Sequence, residues 1–190
     1  MVAVILAVLG AGGHGQDVRA VAEAAGHGCY LLDDRYKPSH RCEALPDGAP
    51  YVVGVNDPAT RRRLAVGSNP TTLIHPTATV DRTAHIGPGC VIAAGVHIGP
   101  DCVLGEHVHV GPGSTLTRTN VGAFTTISPG VDIAGDVSIG FGVLIGVGAR
   151  IANLRTVHDH AVVGAGAVVV RDVDPGETVV TRDLTATGAS

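Results

Sequence analysis

The sequence predicts two architectures in one chain: an α/β unit over residues 1–73 and a parallel β-helix over residues 74–175, followed by a short tail over 176–190. Three observations predict them. Glycine is abundant, 27 of 190 residues with 11 Pro, whereas Trp is absent and Phe and Tyr number only 2 and 3. The apolar run Val2–Leu9 breaks into the cluster Gly10-Ala11-Gly12-Gly13-His14-Gly15. From Ile74 onward, aliphatic residues recur every six positions.

A chain rich in Gly and Pro can be disordered or collagenous, but 45% hydrophobic residues and a mean hydropathy of +0.30 exclude disorder. Glycine does not recur at every third residue, which excludes collagen. What remains is a core of Val, Ile, Leu and Ala with glycine at many sharp turns, as many short strands require. A formal charge of −4 and a pI of 6.2 supply no field for nucleic acid or anionic lipid, so neither is an expected partner. Val2–Leu9 is short and lacks a basic flank, which fits neither a signal peptide nor a membrane span. Cys29, Cys42, Cys90 and Cys102 show no C-x-x-C spacing and are expected to be reduced, in a cytoplasmic protein.

Val2–Leu9 suits a buried parallel strand. A helical pattern follows from Gln16 to Ala25, with Val18, Val21, Ala22 and Ala25 on one face and Gly26 as its stop. A second strand, Cys29–Leu32, ends in Asp33-Asp34; a third, Tyr51–Val55, ends in Asn56-Asp57. A helix beginning near Pro58 carries Arg61-Arg62-Arg63, expected as a solvated face. The first strand-to-helix turn satisfies G-x-G-x-x-G, making this a Rossmann-like nucleotide-binding unit. Glycines there let a phosphate approach the backbone, the helix start offers free N–H groups, and Asp33 or Asp34 can accept from a ribose or sugar hydroxyl. At about half the size of a dinucleotide fold, the unit suits a nucleotide-sugar or mononucleotide better than a nicotinamide cofactor.

The repeat runs through Ile74, Val80, Ile86, Ile92, Ile98, Leu104, Val110 and Leu116, then through Val121, Ile127, Ile133, Ile139, Ile145, Ile151, Val157, Val163 and Val169. A small residue stands two positions before most of them, as at Ala78, Ala84, Cys90, Val96 and Cys102. One large and one small inward residue per six describe a short strand plus a turn, three of which close a triangular coil. A prism this thin has little room for aromatic rings, and Cys90 and Cys102 are expected in its packing. Two irregularities interrupt it: the step from Leu116 to Val121 is five residues, and Arg155 occupies a small inward position, so a local bulge or loop is expected around Asn153–Thr156.

With both halves described, the chain resembles the sialic acid O-acetyltransferase / bacterial sugar N-acetyltransferase family. The likeness lies in Gly10–Gly15, Leu31-Leu32-Asp33-Asp34, Val53-Gly54-Val55-Asn56-Asp57 and Ile74-His75-Pro76 followed by hexapeptide repeats, and it extends to about residue 175. The resemblance implies a left-handed β-helix, a homotrimer, a nucleotide-sugar in the N-terminal domain, and acetyl-CoA or another acyl-CoA as co-substrate in the groove between neighbouring helices. It carries the nucleotide-sugar motif onto Gly12, Gly13, His14, Asp33, Asp34 and Asn56.

The acyl-transfer side departs from the family. Its general-base His and adjacent acid, in a segment like S-T-V-D-H-D, correspond to Ser114-Thr115-Leu116-Thr117-Arg118-Thr119, so Thr117, Arg118 and Thr119 stand where the His and acid belong. Arginine stays charged and cannot act as a base. A second family His corresponds to Thr126, and the closing G-x-P-A-K segment is replaced by Thr181-Arg182-Asp183-Leu184-Thr185. His109 or His107 are candidate substitute bases, against the commoner role of a polar His on a strand or corner; their H-x-H spacing, like that of His158 and His160, places both rings on one side of a regular strand. Gamma carbonic anhydrases place three His around zinc with an H-x4-H spacing that no two His here reproduce, so no metal is expected. The expected function is an acyl-CoA-dependent acetyltransferase acting on an amino or hydroxyl group of a sugar nucleotide or related small molecule, with an altered active site. The alternative is an inactive trimeric nucleotide-sugar-binding or scaffolding homologue. The tail, Thr185–Ser190, is expected to be mobile.

Overall fold

A computed structural model describes residues 5–33, 42 and 45–180. Asp34, His40, the closing segment Thr181–Thr185 and the tail lie outside the described residues.

Strands β1 (Ile5–Leu9), β2 (Gly28–Leu32) and β3 (Tyr51–Val53) form a parallel sheet in the order β2-β1-β3. The central place of β1 accounts for its unbroken apolar run: Leu6, Ala7, Val8 and Leu9 are fully buried. Helix α1 (Gly13–Ala24) starts three residues earlier than its apolar periodicity suggests, inside the glycine cluster. The reason is steric. A Cβ at Gly15 would run into the Gly10 carbonyl oxygen, and one at Gly54 would lie 2.7 Å from Gly15 Cα. These glycines let the first turn of α1 press against the loop after β3. Helix α2 (Pro58–Leu64) is started by Asp57, whose carboxylate accepts from the Thr60 N–H at 2.7 Å, with Pro58 in the first turn.

The remaining strands stack into three parallel sheets of seven, six and five strands among the described residues. The first contains β4 (Leu73–Ile74), β7 (Val91–Ile92), β10 (His109–Val110), β13 (Thr126–Ile127), β16 (Leu144–Ile145), β19 (Val162–Val163) and β21 (Thr178–Val179). Its pairing thus runs past residue 175. The repeat positions from Ile92 to Val169 are buried, as are Cys90 and Cys102 at 0% exposure in the same cluster.

Three columns of left-handed turn residues mark the prism edges. One is all glycine: Gly95, Gly113, Gly130, Gly148 and Gly166. The second runs Gly89, His107, Phe124, Gly142 and His160; the third carries Asp101, Arg118, Asp136 and Leu154. Composition therefore needs refinement: glycine dominates one edge, while both Phe residues, Phe124 and Phe141, belong to a ring ladder along the second.

Both irregularities are absorbed in the corners. At the five-residue step, Arg118 takes the left-handed position at φ 44° and its carbonyl accepts from the Asp136 N–H, so Asn120↔Val103 pairing is regained at once. Of the bulge or loop expected around Asn153–Thr156, no bulge forms and the chain makes a turn like those at the other corners. Leu154 makes an ordinary left-handed turn, the Arg155 carbonyl accepts from Ser138 N–H in register, and the Arg155 guanidinium turns back to the Asn153 carbonyl at 3.1 Å. An outward-turned side chain removes the need to bury a charge.

Candidate active site between α1 and the β-helix

Because the sheet is parallel, the loops after β1, β2 and β3 emerge at one edge, where open α/β sheets bind ligands. Gly12 caps α1 with an extended backbone, and its carbonyl accepts from the Gln16 N–H at 3.1 Å. Gly13 is exposed, and a Cβ there would meet nothing within 4 Å. One carboxylate oxygen of Asp33 accepts from the Ala11 N–H at 2.8 Å, tying the glycine loop to the end of β2. Asn56 lies beyond β3, with its carbonyl accepting from Thr126 Oγ1 at 2.7 Å. Four of the sequence-derived nucleotide positions, Gly12, Gly13, His14 and Asp33, thus gather around one loop, and Asn56 faces them across the sheet edge.

The apolar face of α1, Val18, Val21 and Ala22, packs on Leu73 and Val91 of the β-helix. That docking lowers the start of α1 onto β10. His14 Nε2 and His109 Nδ1 come within 2.9 Å and share a hydrogen bond, with ring centroids 5.2 Å apart. Beside the pair opens a cleft of about 500 Å³ lined by His14, Asn56, His109, Thr126, Ser128 and Val147, among others. His109 is only 2% exposed, and its Nε2 has no hydrogen-bond partner among the described residues. His14 is half-buried and is the more accessible ring.

Behind the pair lies Arg61. The expectation of a solvated arginine run is corrected here: Arg61 is 0% exposed, because the turn that carries it is pressed between the sheet and the β-helix. Its guanidinium donates to four main-chain carbonyls, Val55 at 2.9 Å, Asn56 at 3.1 Å, His107 at 3.0 Å and Phe124 at 2.6 Å. Arg62 lies over the Phe141 ring, 5.1 Å from its centre, and Arg63 is exposed. Burial brings Arg61 down to about 10. Burial first, and the Arg61 charge second, hold His109 well below the ordinary imidazole value and lower His14 as well. Both rings are therefore neutral near pH 7, as a proton acceptor must be.

His107 does not share a face with His109. The strand is only two residues long, so His107 falls on a left-handed corner at φ 53°, where its ring stacks on Phe124 at 5.0 Å. His160 likewise occupies a corner, edge-on to Phe141. Thr117, Arg118 and Thr119 do not line the cleft. Arg118 is exposed and paired with Asp136 at 3.0 Å, and Thr119 is buried with its hydroxyl donating to the Thr117 carbonyl. Thr126 holds the Asn56 loop down. Among the described residues no group of three or more His, Cys, Asp or Glu converges as a metal site would, and no helix is long and apolar enough to cross a membrane.

Sequence reasoning missed the His14–His109 contact and the burial of Arg61. No periodicity carries either, because both arise where the two halves dock.

The family model described as bacterial transferase hexapeptide (six repeats) matches residues 83–118. A comparison with curated proteins finds no match. Among solved structures, the acetyltransferase domain of PglB from Neisseria gonorrhoeae is 34% identical with a TM-score of 0.86, over 94% of this chain and 97% of that one. The same domain in complex with acetyl coenzyme A gives 34% and 0.85, over 93% of this chain and 96% of that one. PerB from Caulobacter crescentus, in complex with CoA and GDP-perosamine, is 26% identical with a TM-score of 0.85, over 93% of each chain. With the repeat, these likenesses define a left-handed parallel β-helix, and the chain belongs to the hexapeptide-repeat family of bacterial sugar acetyltransferases.

Proposed function

We propose that the chain is an acyl-CoA-dependent acetyltransferase acting on the amino group of a sugar nucleotide, with an active site altered from the family pattern. The observation that carries this reading is the hydrogen-bonded His14–His109 pair at the wall of the 500 Å³ cleft. The relatives support it: the PglB domain holds acetyl-CoA in one structure, and PerB holds CoA with GDP-perosamine in another.

In this reading the Rossmann-like unit, residues 1–73, holds the nucleotide through Gly12, Gly13, His14, Asp33, Asp34 and Asn56. The β-helix, from residue 74 to the pairing of Val179, supplies the acyl-CoA groove against a neighbouring protomer of a cytoplasmic homotrimer. The substrate amine attacks the thioester carbonyl, forming a C–N bond and a tetrahedral oxyanion. Collapse breaks the C–S bond. The proton leaving the nitrogen passes to His14, steadied by its hydrogen bond to His109, and then to the departing thiolate. A base so placed contributes about 10²- to 10⁴-fold to the rate, with positioning adding to it.

The test is transfer of label from radiolabelled acetyl-CoA to a panel of nucleotide-linked amino sugars. Transfer that is lost in His14→Ala and His109→Ala supports the reading. Tight nucleotide-sugar binding with no transfer would sink it and establish the second reading, an inactive nucleotide-sugar-binding homologue. That second reading is favoured by one observation: Arg118, an exposed ion-paired cation, stands where the family base belongs.

A further inference from the structure

Arg61 holds carbonyls from three segments: Val55 and Asn56 after β3, His107 before β10, and Phe124 before β13. Each of the three cleft residues Asn56, His109 and Thr126 lies within two residues of one of those carbonyls. A fully buried guanidinium is costly, and its four hydrogen bonds all go to neutral acceptors. A purely mechanical staple would not need the charge. We infer that Arg61 is a positioning residue for the transfer, a fixed cation that locks the Asn56 loop onto the coils carrying His109 and Thr126, beside the imidazole pair. The kinetic part of this inference rests on the transferase reading above; the electrostatic part does not.

The charges around the pair can be named from each element that faces it. His14 sees Asp17 on its own helix, which favours protonation, and Arg61, which opposes it. His109 sees Arg61, His14 and His107, all opposing protonation. Glu106 acts on His107 in the favouring direction. Removing the Arg61 charge therefore takes away the largest opposing charge at both imidazoles while burial still holds them low, so both titrate higher than in the wild type and the acid limb of the rate profile moves to higher pH.

The experiment uses the full chain as wild type, Arg61→Met and Arg61→Lys, with histidine titration followed by NMR and kcat and KM measured against pH. In Arg61→Met the His14 and His109 titrations and the acid limb are expected to move to higher pH than in the wild type. In Arg61→Lys the titrations stay in place, but an ammonium cannot span four carbonyls, and kcat falls about tenfold with KM changed less. If Arg61→Met does not fold, the Lys variant decides alone. Unchanged histidine titration in a folded Arg61→Met, or wild-type kcat in Arg61→Lys, overturns the inference. Absence of transfer in the wild type instead removes the transferase reading and leaves the titration arm standing.

Discussion

His109 and Arg118 stand half a coil apart, and their surroundings are opposite. His109 is on a strand roofed by α1, out of water, against a second imidazole and close to a buried cation. Arg118 is on an uncovered edge, at the five-residue step, paired with Asp136 in water. The same repeat thus produces a dry site where the N-terminal unit lies on it and a solvated corner where nothing does. What a repeat residue can do is decided by what is docked on its face, and the six-residue period alone does not record that.

The largest expected effect tests this contrast directly. Alanine at His14 or His109 should reduce acetyl transfer by about 10²- to 10⁴-fold, with the double variant close to the worse single one because the two rings act as a unit. Alanine at Arg118 should change it less than threefold. Steady-state kinetics on all four proteins reads this, and a large loss at Arg118 with none at His109 would reverse the assignment of the site.

The glycine loop gives the next contrast. Gly15→Ala drives a Cβ into the Gly10 carbonyl and should destabilise the fold by about 3 kcal/mol in urea unfolding. Gly13→Val adds its side chain to open space at the start of α1, so the folded state should lose far less, while nucleotide-sugar affinity falls at least tenfold by calorimetry. Unweakened binding in Gly13→Val would remove the loop from the ligand site.

How much of this was legible in the sequence follows from where each feature resides. The β-helix was legible because one large and one small inward residue per strand repeat in the sequence itself, and Ile92 to Val169 are buried as that pattern demands. The N-terminal strands were legible because a central parallel strand must be apolar on both faces, as Leu6–Leu9 are. The site was only half legible. Gly12, Gly13 and His14 adjoin in the sequence and Asp33 hydrogen-bonds to Ala11 beside them, but His14 and His109 are separated by 95 positions and meet only because Val18 and Val21 dock on Val91. Arg61 read as one of three exposed charges, since a helix taken alone cannot show that another element covers one side of it.

The imidazole pair also predicts a pH effect on stability. His14 and His109 titrate lower in the folded protein than in the unfolded chain, chiefly through burial. The unfolded state therefore binds more protons as pH falls, and the stability is complete above the unfolded imidazole value of about 6.5 and lost as pH drops toward the folded one. Urea midpoints should decline as the pH falls below about 6.5, and His109→Ala should flatten that decline. An equally steep decline in His109→Ala would assign the effect to other groups.

The smallest effect belongs to the exposed corner. The Arg118–Asp136 pair has both side chains about half-exposed and bridges successive coils, at 49% and 51% relative exposure. Water screens such a pair, and ordering two flexible side chains offsets most of its attraction. Asp136→Asn should therefore leave the urea midpoint unchanged within error at physiological salt, with any difference confined to low ionic strength. The backbone, not the ion pair, closes the five-residue step: Arg118 stays left-handed and its carbonyl still receives the Asp136 N–H, a bond that Asn at 136 preserves. A clear destabilisation by Asp136→Asn at physiological salt would instead make the ion pair the clasp that lets a seventeen-residue coil stack on its neighbours.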